Sequence, residues 1–139
     1  MPDLTVSSAV DTLLDADTQA DIRSAVGAIR TLSVSFSLPS DGDVSIPFIV
    51  PVAGTVIGWS LVTENATGDV ELDIWKDTTL PTSADSIVAS APPTGQGVVN
   101  STTMTGWTTS VAANDVFRVE CTAASNASTV TLSIKIQES

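Results

Sequence analysis

The chain has no histidine, no tyrosine and one cysteine, Cys121. Ser–His and Cys–His nucleophile systems are therefore excluded, because no imidazole is present to take the proton. A zinc site built on histidine or several cysteines is excluded for the same reason, and so is an internal disulfide. Cys121 alternates with Phe117 and Val119 and reads as a small core residue. Basic residues are almost as scarce: Arg23, Arg30, Lys76, Arg118 and Lys135 stand scattered against 16 acidic residues, for a net charge of -11. Phosphate backbones and anionic membranes both need clustered Lys and Arg, so neither nucleic acid nor membrane is expected as a partner. No apolar run approaches the ~18 residues of a membrane span. No basic and apolar leader opens the chain, which reads as made in a cytoplasm without a signal peptide. The glycosylation triplets at Asn65, Asn100 and Asn126 then read as chance. Gly54, Gly58 and Gly68 are isolated, so no phosphate loop is formed, and no cofactor is expected.

What is present is alternation. The 139 residues suit one domain with a short appended segment, and Ser plus Thr supply roughly a quarter of them, as in many all-β surfaces. Residues 53–77 read as two strands joined by a turn at 65–68. Ile57, Trp59 and Leu61 alternate in the first, and Val70, Leu72 and Ile74 in the second, opposite Asp69, Glu71 and Asp73. Further strands are expected at 31–38, 85–90, 116–122 and 129–137, with one short strand inside the irregular connection 91–106. Val44, Ile46, Phe48 and Val50 share a face opposite Pro47 and Pro51, which marks a sheet edge. Seven or eight strands with turns between them predict a mainly β chain, an antiparallel β-sandwich or jelly roll over 31–139.

Residues 1–30 differ. Val10, Leu13 and Leu14 share one helical face and Ile22 and Val26 another, each within a turn too short to be stable alone. Such helices need a surface. One reading packs them on their own domain; the other makes 1–30 an N-terminal helical docking segment for a larger assembly.

Carboxylates are the remaining route to catalysis. Asp69, Glu71 and Asp73, with Asp77, Asp41 and Asp43 nearby, allow a glycosidase pair or a calcium site to be drawn. A solvated or interface face is the plainer reading, and the chain is not expected to be an enzyme or to hold a metal. Trp59, Trp75 and Trp107 suggest either a carbohydrate platform or packing; with Ile57 and Leu61 they are expected in the core or at a subunit seam.

Two stretches resemble bacteriophage virion proteins. Residues 10–28 resemble the short helical segment of tail-fibre and head-fibre proteins, matched at Ala20, Asp21, Arg23, Ala25, Val26 and Gly27. From residue 52 the chain resembles a small β-sandwich module of fibre tips and virion surface proteins. Its marks are Gly54-Thr55-Val56-Ile57-Gly58-Trp59-Ser60, Asp73-Ile74-Trp75-Lys76, Pro81, Ala84-Asp85-Ser86-Ile87, Gly106-Trp107 and Asn114-Asp115-Val116. The resemblance implies a homotrimeric structural or adhesive part without catalytic residues, whose partners are itself and capsid or tail proteins. Fibre shaft repeats are missing, so a head decoration protein or short head fibre on the virion surface is expected. The alternative is a receptor-binding tail-fibre tip recognising host surface glycan.

Overall fold

Period-two alternation becomes sheet almost wherever it is sustained. The computed structural model describes residues 28–139. The first strand, β1 (Ile29–Ser37), starts two residues ahead of the alternation read at 31–38. Then come β2 (Asp43–Val44), β3 (Phe48–Ile49), β4 (Gly54–Glu64), β5 (Val70–Asp77), β6 (Thr94–Gly95), β7 (Val98–Ser101), β8 (Ser110–Val111), β9 (Val116–Ala123) and β10 (Thr129–Glu138). Two antiparallel sheets result. One has the order β1-β10-β4-β7, with β8 also on β4; the other has β2-β9-β5-β6, with β3 also on β9. A single 3-10 turn, Ser83–Asp85, is the only helical element among the described residues.

The two sheets share one apolar cluster. Leu61, Val130, Leu132, Ile134 and Ile136 enter it from the first sheet, and Val70, Leu72, Ile74, Phe117, Val119 and Cys121 from the second. Each fully buried aliphatic or aromatic side chain contributes roughly 1.5–3 kcal/mol, so this cluster dominates stability. Phe48 and Phe117 add a tilted ring pair with centroids 5.8 Å apart.

Four local expectations are corrected. Along β4, Lys135 pairs with Gly58 but Ile136 pairs with Val56, leaving Ile57 as an extra, bulged residue. The bulge shifts the parity, so Val56 is buried in the place expected of Ile57, which is only half-buried. Residues 85–90 form no strand. The Asp85 carboxylate accepts from the Thr82 amide at 2.8 Å and closes a turn, and local side-chain bonds of this kind compete with the ladder. The connection 91–106 holds two short strands, β6 and β7, separated by Gly97 in the left-handed region. Finally, 44–50 does not share one buried face. Ser45 is buried instead of Val44 and Ile46, because its backbone N–H donates to Val119 O at 2.8 Å and its hydroxyl accepts from the Val119 amide at 3.0 Å.

Candidate functional site

The carboxylates of the acidic strand β5 are engaged in hydrogen bonds. Residues 73, 75 and 77 point away from the core, opposite the buried Leu72 and Ile74. Asp73 Oδ2 accepts the Trp75 indole N–H at 2.9 Å, and Asp73 Oδ1 accepts the Ser86 hydroxyl at 2.5 Å. Ser86 also pairs with Trp75 through a backbone bridge. One carboxylate oxygen of Asp73 thus fastens the loop after β5 to the outside of the sheet, and the other holds the Trp75 indole on the same strand.

The same pattern repeats around it. Glu71 Oε1 accepts the Thr122 hydroxyl at 3.0 Å, where Thr122 is the extra residue of a second bulge, between β5 and β9. Asp77 accepts the Thr78 amide at 2.7 Å and the Thr79 hydroxyl at 3.2 Å. Asp115, 5% exposed, lies 3.5 Å from Lys76 Nζ and accepts the Ala112 amide at 2.8 Å, which closes the turn into β9. Lys76 Nζ donates in addition to Ser110 O at 2.6 Å. In the turn after β1, Asp43 accepts the Ser40 amide and Asp41 reaches across to the Ala124 amide, both at 2.8 Å. The expected solvated face holds only for Asp69, which is exposed; Glu71 and Asp73 are half-buried and hydrogen-bonded. Among the described residues no group of three or more His, Cys, Asp or Glu is placed to hold a metal ion.

The tryptophans divide. Trp59 lies in the shared core with Leu61, at 7% and 0% exposure. Trp75, 6% exposed, is buried on the outer face of β5, not in that core. Trp107 is half-buried against the cluster, and its indole N–H donates to Ala91 O at 2.8 Å. Trp59 and Trp75 are too enclosed for a sugar ring to stack on them. Val10, Leu13, Leu14, Ile22 and Val26, together with the helices expected there, lie outside the described residues.

Cys121 is fully buried, and its thiol is pushed up to about 11 by burial first and by the charges of Asp41, Asp43 and Glu120 next. It stays protonated at neutral pH and offers no nucleophile.

Two features stand out on the surface. A polar hollow of about 460 Å³ opens between Pro39, Ser40 and Asp41 on one side and Ala124, Ser125 and Asn126 on the other. On the β1 side, Leu38, Ile46 and Ile49 are exposed despite their size. Alternation groups Ile46 with Val44, Phe48 and Val50 on one face, and Pro47 and Pro51 opposite them are the sequence signals of a sheet edge.

No protein-family model matches the chain, and no curated protein matches it. Among solved structures it is similar to a chain of the cyanophage Pam1 capsid asymmetric unit, at 18% identity over 81% of this chain and 86% of that one, with a TM-score of 0.38.

Proposed function

We propose that this chain is a non-enzymatic structural protein of a bacteriophage virion: a homotrimeric capsid decoration protein or short head fibre, displayed on the virion surface. Residues 1–30 dock it to capsid or tail proteins, and the strands that follow form a jelly-roll β-sandwich. The pairing order supports that architecture. β1 pairs with β10, β2 and β3 with β9, β4 with β7 and β8, and β5 with β6, the nested hairpins of a jelly roll.

One observation carries the reading. The separate marks of the virion resemblance meet in space as fasteners of a single scaffold. Asp73 and Trp75 of one mark bind Ser86 of the next. Ile87 O in turn accepts the Thr108 amide beside Gly106-Trp107, at 2.8 Å. Lys76 reaches Asp115 of the last mark. Carboxylates that fasten loops to a sheet serve a rigid displayed module, whereas a catalytic pair must keep oxygens free for substrate.

The test is genetic and structural. Particles made with a chain lacking residues 1–27, a cut that leaves β1 (Ile29–Ser37) whole, should be intact but bare of this protein, while the truncated chain keeps its β circular-dichroism spectrum and cooperative melt. Particles that still carry the truncated protein would overturn the docking assignment. The receptor-binding alternative is favoured by the polar hollow. Binding of the purified protein to host glycans, lost on Asp41→Ala or Asn126→Ala, would bring it forward.

A further inference from the structure

We propose that the polar hollow between residues 39–41 and residues 124–126 binds a single sugar ring, uncharged or amine-bearing, and turns acidic sugars away. The inference deepens the receptor-binding reading by naming the ligand class of that hollow, and rests on that reading for its place in host recognition.

The walls of the hollow are braced. In the first wall the Asp43 amide donates to Ser40 O at 3.0 Å, and Asp43 Oδ2 accepts the Ser40 amide at 2.8 Å. In the second, Ser125 and Asn126 are both left-handed, at φ 48° and 57°, and the Ala127 amide closes the turn on Ala124 O at 3.0 Å. Asp41 Oδ1 ties the two walls together by accepting the Ala124 amide at 2.8 Å. Behind the second wall the Thr67 amide donates to Ser125 O at 2.8 Å, and the Ser125 hydroxyl donates to Asp69 O at 2.5 Å. A site held in this way pays little ordering entropy when a ligand enters.

What the bracing leaves over is a set of acceptors. Asp41 Oδ2, the Ser40 hydroxyl and Asn126 Oδ1 have no hydrogen-bond partner among the described residues. The amide nitrogen of Asn126 is already given to Thr67 Oγ1 at 3.3 Å. A carboxylate oxygen and an amide oxygen can only accept, so the ligand has to donate. Sugar hydroxyls and ammonium groups do so; an ionised carboxylate cannot.

Charge points the same way. Asp41 is the one charged residue lining the hollow. Asp43 and Glu120 stand beside it, since β2 pairs Asp43 with Cys121 and Val44 with Glu120. The cation of β9, Arg118, is given to Ser45 O at 3.2 Å. An anionic ligand therefore meets like charge, whereas an ammonium gains a charge-assisted bond. Size favours a ring over an ammonium alone. The hollow of about 460 Å³ falls within the roughly 300–1,000 Å³ of small-ligand sites, and a lone ammonium fills little of it. No aromatic side chain lines it, so a sugar is held by hydrogen bonds without stacking, at about millimolar affinity.

The test titrates the isotopically labelled full chain by NMR with glucose, glucosamine and glucuronate, which share one ring and differ in charge. The amides of Ser40, Asp41, Ala124, Ser125 and Asn126 should shift, with glucosamine binding most tightly and glucuronate least. The gap should narrow at high salt. Asp41→Asn keeps an oxygen for the Ala124 amide, so it should melt as the parent does and lose the preference for glucosamine. Asn126→Gly accepts the left-handed φ and should weaken glucose and glucosamine alike, by about two- to tenfold. Glucuronate binding as tightly as glucosamine, shifts that lie away from the hollow, or a preference that survives Asp41→Asn would overturn the inference. Should either variant melt differently, the ranking of the three sugars on the parent and its salt dependence decide alone. If the ranking holds but the purified protein does not bind host cells, the hollow stands and the receptor-binding reading falls. If the protein binds host cells yet none of the three sugars moves the amides of the hollow, that reading stands and this inference falls.

Discussion

Asp73 accepts the Ser86 hydroxyl at 2.5 Å, so one carboxylate joins β5 to a loop residue 13 positions later in the chain. With the Trp75 indole on its other oxygen, this acid is half-buried and fully used, and it should behave as a structural residue. Asp73→Ala should lower unfolding free energy by about 1–3 kcal/mol, since it strands two donors in a part-buried site. Ser86→Ala should cost about 0.5–1.5 kcal/mol, and the double variant less than the sum, because both remove one interaction. Urea unfolding of the four proteins measures this. Added calcium or chelator should leave the melting temperature of the parent unchanged.

Trp59 and Trp75 are almost equally buried but for different reasons, and substitutions should separate them. Trp59→Ala opens a cavity in the shared core and should cost about 3–5 kcal/mol, a large part of a small domain's stability. Trp75→Phe keeps a ring on the outer face of β5 and loses the bond to Asp73, so about 0.5–1.5 kcal/mol is expected. Equal losses in denaturant titration would contradict this placement.

Gly58 sits beside the bulge in β4, where an added Cβ would lie 2.9 Å from Ser101 O. The obstacle is backbone, so β4 and β7 would have to separate. Gly58→Ala should lower the melting temperature by several degrees, about what a loss of 1 kcal/mol or more produces in a domain of this size. Gly42→Ala meets no atom within 4 Å but holds a φ of 92°, so its smaller cost should come from backbone strain alone.

Cys121 gives a pH signature. Burial pushes its folded thiol up to about 11, above the ordinary thiol value of 9.0, so on raising the pH the unfolded chain releases the proton first. Its contribution is fully present below about pH 9 and is lost as pH rises from there toward 11. Cys121→Ala, less stable overall through its cavity, should show a shallower fall across that window. In the native parent the thiol should resist a disulfide reagent at pH 8 and react once urea unfolds the chain.

Period-two patterning determined much of this molecule by itself. The buried sets on β5, β9 and β10 follow directly from alternation, because which face a strand residue takes is a local property of the extended backbone. The missing imidazole and the scarcity of basic residues likewise needed no coordinates to exclude whole classes of chemistry. Three things were decided only in the tertiary structure. The bulge at Ile57 comes from the register of β4 against β10, and register is a property of two strands rather than one. The role of Asp73 depended on Ser86 arriving from a turn whose own side chains outcompeted the expected strand. The place of β1 at the end of its sheet, among the described residues, arises because that strand pairs with β10, about 100 residues away; nothing within β1 itself says which strand will be its neighbour.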